Sequence, residues 1–75
     1  MDRKSMTEFI RSERKRRGIS QGELVEGAGV HRNTIWNFEK GSDIWVETLM
    51  GIIHFMWDDW ASFSEDYSYW TGEKE

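Results

Sequence analysis

Residues 20–41, SQGELVEGAGVHRNTIWNFEKG, constrain the fold more than any other stretch of this chain. They hold two helix-length segments separated and closed by glycines. Leu24 and Val25 give the first segment an apolar edge, and Ala28-Gly29-Val30 interrupts it, because a glycine just past a helix adopts the left-handed backbone that turns the chain. Ile35 and Phe38 restart an apolar stripe at helical spacing, and Gly41 closes it. On this second segment Arg32, Asn33, Trp36, Asn37 and Lys40 fall at i, i+1, i+4, i+5 and i+8, which gathers them opposite Ile35 and Phe38. A short helix with its apolar side in a core and Arg, two Asn and Lys outside has the chemistry to enter a DNA major groove.

The same periodicity organises the rest of the chain. Met6, Phe9 and Ile10 supply the apolar face of a first helix, with Ser5 or Thr7 near its cap and Glu8 in its first turn. Gly18-Ile19 ends that helix and returns an apolar side chain to the core. After the loop at Ser42-Asp43, Val46, Leu49, Ile52, Ile53 and Met56 mark a fourth helix. Gly51 inside it costs roughly 1 kcal/mol relative to alanine, a position that suits close approach of another backbone. Asp59 is placed to cap a fifth helix starting with Trp60 and Phe63. The expected helices are 5–17, 21–28, 32–40, 46–56 and 59–65. With no proline and few β-branched runs, the chain reads as all-α. Residues 1–66 form one domain and residues 67–75 a C-terminal tail.

The stretch from Ser20 to Gly41 resembles the helix-turn-helix of the Cro/repressor-type (XRE-like) DNA-binding proteins. The resemblance is carried by Ser20-Gln21, Glu23-Leu24, Gly29, Arg32 with Thr34-Ile35, and Glu39-Lys40-Gly41, at fixed spacing without gaps. It extends less specifically over residues 6–63. It implies a compact four- to five-helix, lambda-repressor-like domain. It also implies that Gln21 touches a phosphate or base edge, and that Arg14, one turn beyond Ile10 and facing the core, pairs with Glu39. The alternative for those two is a pair of unrelated surface charges. The chain departs from the family pattern at Glu13, usually apolar, at Val25, usually alanine, at His31, usually a Ser or Thr cap, and at Trp36, usually smaller.

The formal net charge of −4 is unusual for a DNA binder, and its distribution resolves the conflict. Residues 1–41 hold nine Lys/Arg against six Asp/Glu, a balance of +3, whereas residues 42–75 hold one against eight, a balance of −7. The basic half coincides with the two short helices; the acidic half, including Glu65, Asp66, Glu73 and Glu75, is expected to face away from phosphates. Arg14-Lys15-Arg16-Arg17 can end the first helix in solvent, complementing its dipole, and can bring Arg16 and Arg17 to phosphates; the two readings are compatible. Lys40 is a further backbone candidate.

Seventy-five residues suffice for one small core. There is no cysteine, as expected for a cytoplasmic protein, no apolar run long enough for a membrane span, and no signal-like segment in MDRKSMTEF. His31 and His54 have no ligand-like spacing, and Asp58-Asp59 has no nucleophile beside it, so neither a metal, a cofactor nor an enzyme is expected.

Five tryptophans exceed what a small core needs. Trp57, Trp60, Phe63, Tyr67 and Trp70 either finish the core or form an apolar surface for self-association or a protein partner; the second reading is the stronger, since the four-helix core has its own aliphatics. Trp60, Phe63, Tyr67 and Trp70 align on a continued helix, while Tyr67-Ser68-Tyr69-Trp70 also suits a short strand. The sequence therefore reads as a small phage or mobile-element repressor. It binds double-stranded DNA at a palindrome as a homodimer, with Arg32, Asn33, Trp36 and Asn37 as base readers. The alternative is an antitoxin, activator or anti-repressor using the same fold for protein interaction.

Overall fold

A computed structural model describes the backbone of residues 3–74 and the side chains of residues 4–72. Among the described residues the chain is all-helical: α1 (Arg3–Arg16), α2 (Gln21–Ala28), α3 (Arg32–Glu39), α4 (Val46–Trp57) and α5 (Trp60–Lys74). The Glu73 and Glu75 side chains, expected to point away from DNA, lie outside the described residues.

The three central helices match the expected bounds within a residue, and the two outer ones are longer. α1 begins at Arg3 rather than near Ser5, and Thr7, considered as a cap, is buried within the helix. Asp59 does cap α5: its Oδ1 accepts the Ser62 N–H at 2.8 Å, and that bond holds the Asp59 carboxyl below its usual range.

Two glycines permit the close packing of α2 on α4. A Cβ on Gly27 would lie 2.1 Å from the Phe55 ring, and one on Gly51 would lie 3.1 Å from the Ala28 carbonyl oxygen. Gly51 therefore has the close backbone approach that its position inside an apolar stripe suggested.

The core has a mainly aliphatic half and an aromatic half. Ile10, Leu24, Ile35, Phe38, Ile52 and Ile53 meet where α1 to α4 converge, all essentially inaccessible. Beside them Phe9 of α1 receives Trp57, Phe63, Tyr67 and Trp70, with ring centroids 5.4, 5.7, 5.5 and 5.5 Å away. This geometry decides the conformation of residues 67–74. α5 crosses the 66/67 position without a break, and the strand alternative for residues 67–70 gives way to helix. The reason is tertiary: on a helix the Phe63–Tyr67–Trp70 stripe lands on Phe9, and strand geometry would split it between two faces.

The aromatic cluster corrects a second expectation. Trp57, Phe63 and Tyr67 are buried within one chain, and Trp70 is partly buried against them. They are not an open surface for a dimer or a partner. Of the five residues expected there, only Trp60 is exposed. A core this small has too little aliphatic volume to cover the α1–α5 side, and the aromatic side chains supply it.

Candidate nucleic-acid interface

Local sequence builds the α2–turn–α3 unit. Ser20 Oγ accepts the Glu23 N–H at 3.0 Å while the Glu23 carboxylate accepts the Ser20 N–H at 2.9 Å, a reciprocal capping box that starts α2. The Ser20 N–H holds the Glu23 carboxyl below its usual range. Gly29 ends α2 in the left-handed region at φ 68°, its N–H donating to the Val25 carbonyl at 3.0 Å. His31 then caps α3 by accepting the Asn33 N–H on Nδ1 at 3.1 Å. The imidazole thus does what the hydroxyl of a Ser or Thr cap would do, which requires Nδ1 to be unprotonated.

α3 divides cleanly. Ile35 and Phe38 are buried, while Arg32, Asn33, Trp36, Asn37 and Lys40 are all exposed, as their spacing predicts. Trp36 is half exposed, and the Lys40 ammonium lies 3.6 Å from its ring centroid, a cation–π contact one turn along the helix. Among the described residues, the side chains of Arg32, Asn33 and Asn37 make no hydrogen bond or ion pair within the chain. Eight residues make α3 about 12 Å long, comparable with the width of the major groove.

A buried ion pair fixes where α3 sits. Arg14 donates from Nε to Glu39 Oε2 at 2.6 Å and from Nη2 to Oε1 at 3.1 Å, a bidentate pair whose side chains are 9% and 5% exposed. Arg14 Nη1 also donates to the Ile19 carbonyl at 2.6 Å. The pairing expected of Arg14 and Glu39 is present, and the surface-charge alternative is not. Gln21 joins it: its Nε2 donates to Glu39 Oε1 at 3.0 Å. Gln21, expected to contact DNA, is observed as a brace between α2 and α3.

Arg16 and Arg17, expected as phosphate candidates, both have acidic partners within the chain. Arg16 forms a bidentate pair with Glu13 at 2.8 Å in both bonds and lies over the α1–α5 side near Asp66 and Tyr69. The bound Arg16 guanidinium holds the Glu13 carboxyl below its usual range. Arg17 donates to the Met56 carbonyl, lies 4.9 Å from the Trp57 ring centroid, and reaches Glu13 and Asp66 at 3.4 and 3.8 Å. Arg17 joins α1 to the C-terminal half, while Arg16 pairs within α1. Glu13 is the carboxylate that both arginines reach.

Arg11 is the residue that sequence reasoning missed. It lines a shallow depression with Gln21, Trp36, Glu39 and Lys40, on the α3 side of α1. The available signal was helical geometry, since five residues separate Arg11 from Arg16 and turn the side chain by about 140°. Among the described residues, no three His, Asp or Glu side chains gather to hold a metal ion, and no helix is long and apolar enough to cross a membrane. Comparison with protein-family models, with curated proteins and with solved structures gives no match.

Proposed function

We propose that this chain is a sequence-specific DNA-binding transcriptional regulator that inserts α3 into the major groove. The observation that carries the reading is the division of α3. One side is locked into the core by Ile35, Phe38 and the Arg14–Glu39 pair, and the other presents Arg32, Asn33 and Asn37 with their hydrogen-bonding groups uncommitted. Arg32 suits guanine O6 and N7, Asn33 and Asn37 suit adenine N6 and N7, and Trp36 offers apolar surface to a thymine methyl. One short helix reads one half-site, so the reading includes a symmetric dimer on a palindrome, with recognition helices about 34 Å apart, and a repressor of phage or mobile-element type.

Asn37→Ala or Arg32→Ala weakens binding to the cognate duplex by about 1–3 kcal/mol. Asn37→Ala leaves binding to unrelated duplexes nearly unchanged. Titration of labelled duplexes measures both, and unaltered cognate affinity in the two variants removes α3 as the reader.

A protein-interaction role, as in an antitoxin or anti-repressor, is favoured by one observation. Trp45 and Val46, at the start of α4, are 81% and 72% exposed, with Met50 one turn on. A chain that binds its partner there but enriches no DNA sequence fits that role instead.

A further inference from the structure

We infer that Arg11 anchors a DNA phosphate beside the groove that α3 enters, the task that the basic run at the end of α1 suggests for Arg16 and Arg17. The inference rests on the DNA-reading role proposed for α3 and names the backbone contact of that same site.

The two flanks of α1 have different neighbours. Phe9, Ser12, Glu13 and Arg16 border a depression against α5, together with Asp66 and Tyr69. Lys4, Thr7, Glu8 and Arg11 border one against the end of α3, at Glu39, Lys40 and Gly41. Arg11 also borders the adjoining depression, whose other walls are Gln21, Trp36 and Lys40. Arg11 therefore borders the exposed side of α3, and Arg16 lies on the opposite flank of α1.

Charge accounting separates the two sites further. On the α5 flank every arginine has an acidic partner: Arg16 binds Glu13, and Arg17 reaches Glu13 and Asp66. On the α3 flank, Glu39 is already neutralised by Arg14 and hydrogen-bonded by Gln21, so it does not take up the charge of Arg11. Glu8 is the remaining carboxylate there, and among the described residues it makes no ion pair with Arg11. Lys40 adds a second cation, held in place by the Trp36 ring. A phosphodiester oxygen is the anion that satisfies an exposed guanidinium and ammonium flanking a base-reading helix, and guanidinium binds it through paired N–H donors. A phosphate contact of this kind positions α3 without specifying sequence.

The test measures salt dependence on two duplexes, one recovered by selection and one unrelated, for the full chain and for Arg11→Gln, Arg16→Gln and Asn37→Ala. Arg11→Gln weakens both duplexes alike and flattens the plot of log affinity against log salt by about 0.9. Arg16→Gln keeps the wild-type slope, and Asn37→Ala loses cognate affinity with its slope intact. Arg11 is exposed, so a thermal melt like that of the wild type shows that the variant is folded. A wild-type slope for folded Arg11→Gln overturns the anchor and leaves the α3 reading standing. Loss confined to the cognate duplex also overturns it, by making Arg11 a base reader. A wild-type chain that binds neither duplex overturns both.

Discussion

Glu39→Ala lowers the stability of the chain by about 3–5 kcal/mol, because it strands a buried guanidinium. The Arg14 side chain is 9% exposed and keeps only the Ile19 carbonyl as partner once the carboxylate is gone. Gln21 Nε2 loses its acceptor in the same step. A small domain has 5–15 kcal/mol of stability in all, so the loss is a large part of the total. The double variant Arg14→Met with Glu39→Leu recovers most of it, since removing both charges also removes their desolvation cost. Urea unfolding followed by circular dichroism measures all three chains. A Glu39→Ala midpoint equal to that of the wild type would show that the pair does not brace α1 against α3.

Ending the chain at Asp66 destabilises the whole domain, even though α1 to α4 and the first half of α5 remain. Tyr67 is buried, and Trp70 packs 5.5 Å from the Phe9 ring centroid. Their removal opens Phe9 and Phe63 to water and costs at least about 3–5 kcal/mol, the typical loss for one large aromatic side chain taken from a core. Thermal unfolding of residues 1–66 beside the full chain gives the difference directly. Equal melting temperatures would return residues 67–75 to the role of a tail and the aromatic residues to that of a partner surface.

Both expected outcomes depend on contacts that the sequence discloses unequally. α2, α3 and the turn were legible because their signals are local: a capping box at Ser20 and Glu23, a left-handed glycine at 29, and an apolar stripe of fixed period. The exposed face of α3 followed from spacing alone. The Arg14–Glu39 pair was expected from family resemblance, with only the inward position of Arg14 readable from the residues.

The length of α5 was not legible, because Tyr67-Ser68-Tyr69-Trp70 has side chains that suit a strand as well as a helix. What settles it is Phe9, which is far away in sequence and next to Tyr67 in space. The role of Arg17 depends in the same way on distant groups, Asp66 and the Met56 carbonyl, whereas Arg16 pairs with Glu13 one turn away. Arg11 lies outside the basic run, and its place beside α3 appears only once α1 is docked on α3.

Selection of bound duplexes from a randomised pool at physiological salt, run in parallel with the wild-type chain and Asn37→Ala, tests whether α3 recognises DNA. The wild type is expected to enrich a two-fold symmetric sequence, and Asn37→Ala to enrich one in which a single adenine position per half-site is relaxed. No enrichment by the wild type, or the same sequence recovered with full stringency by both chains, would contradict the reading of α3 as the helix that recognises DNA.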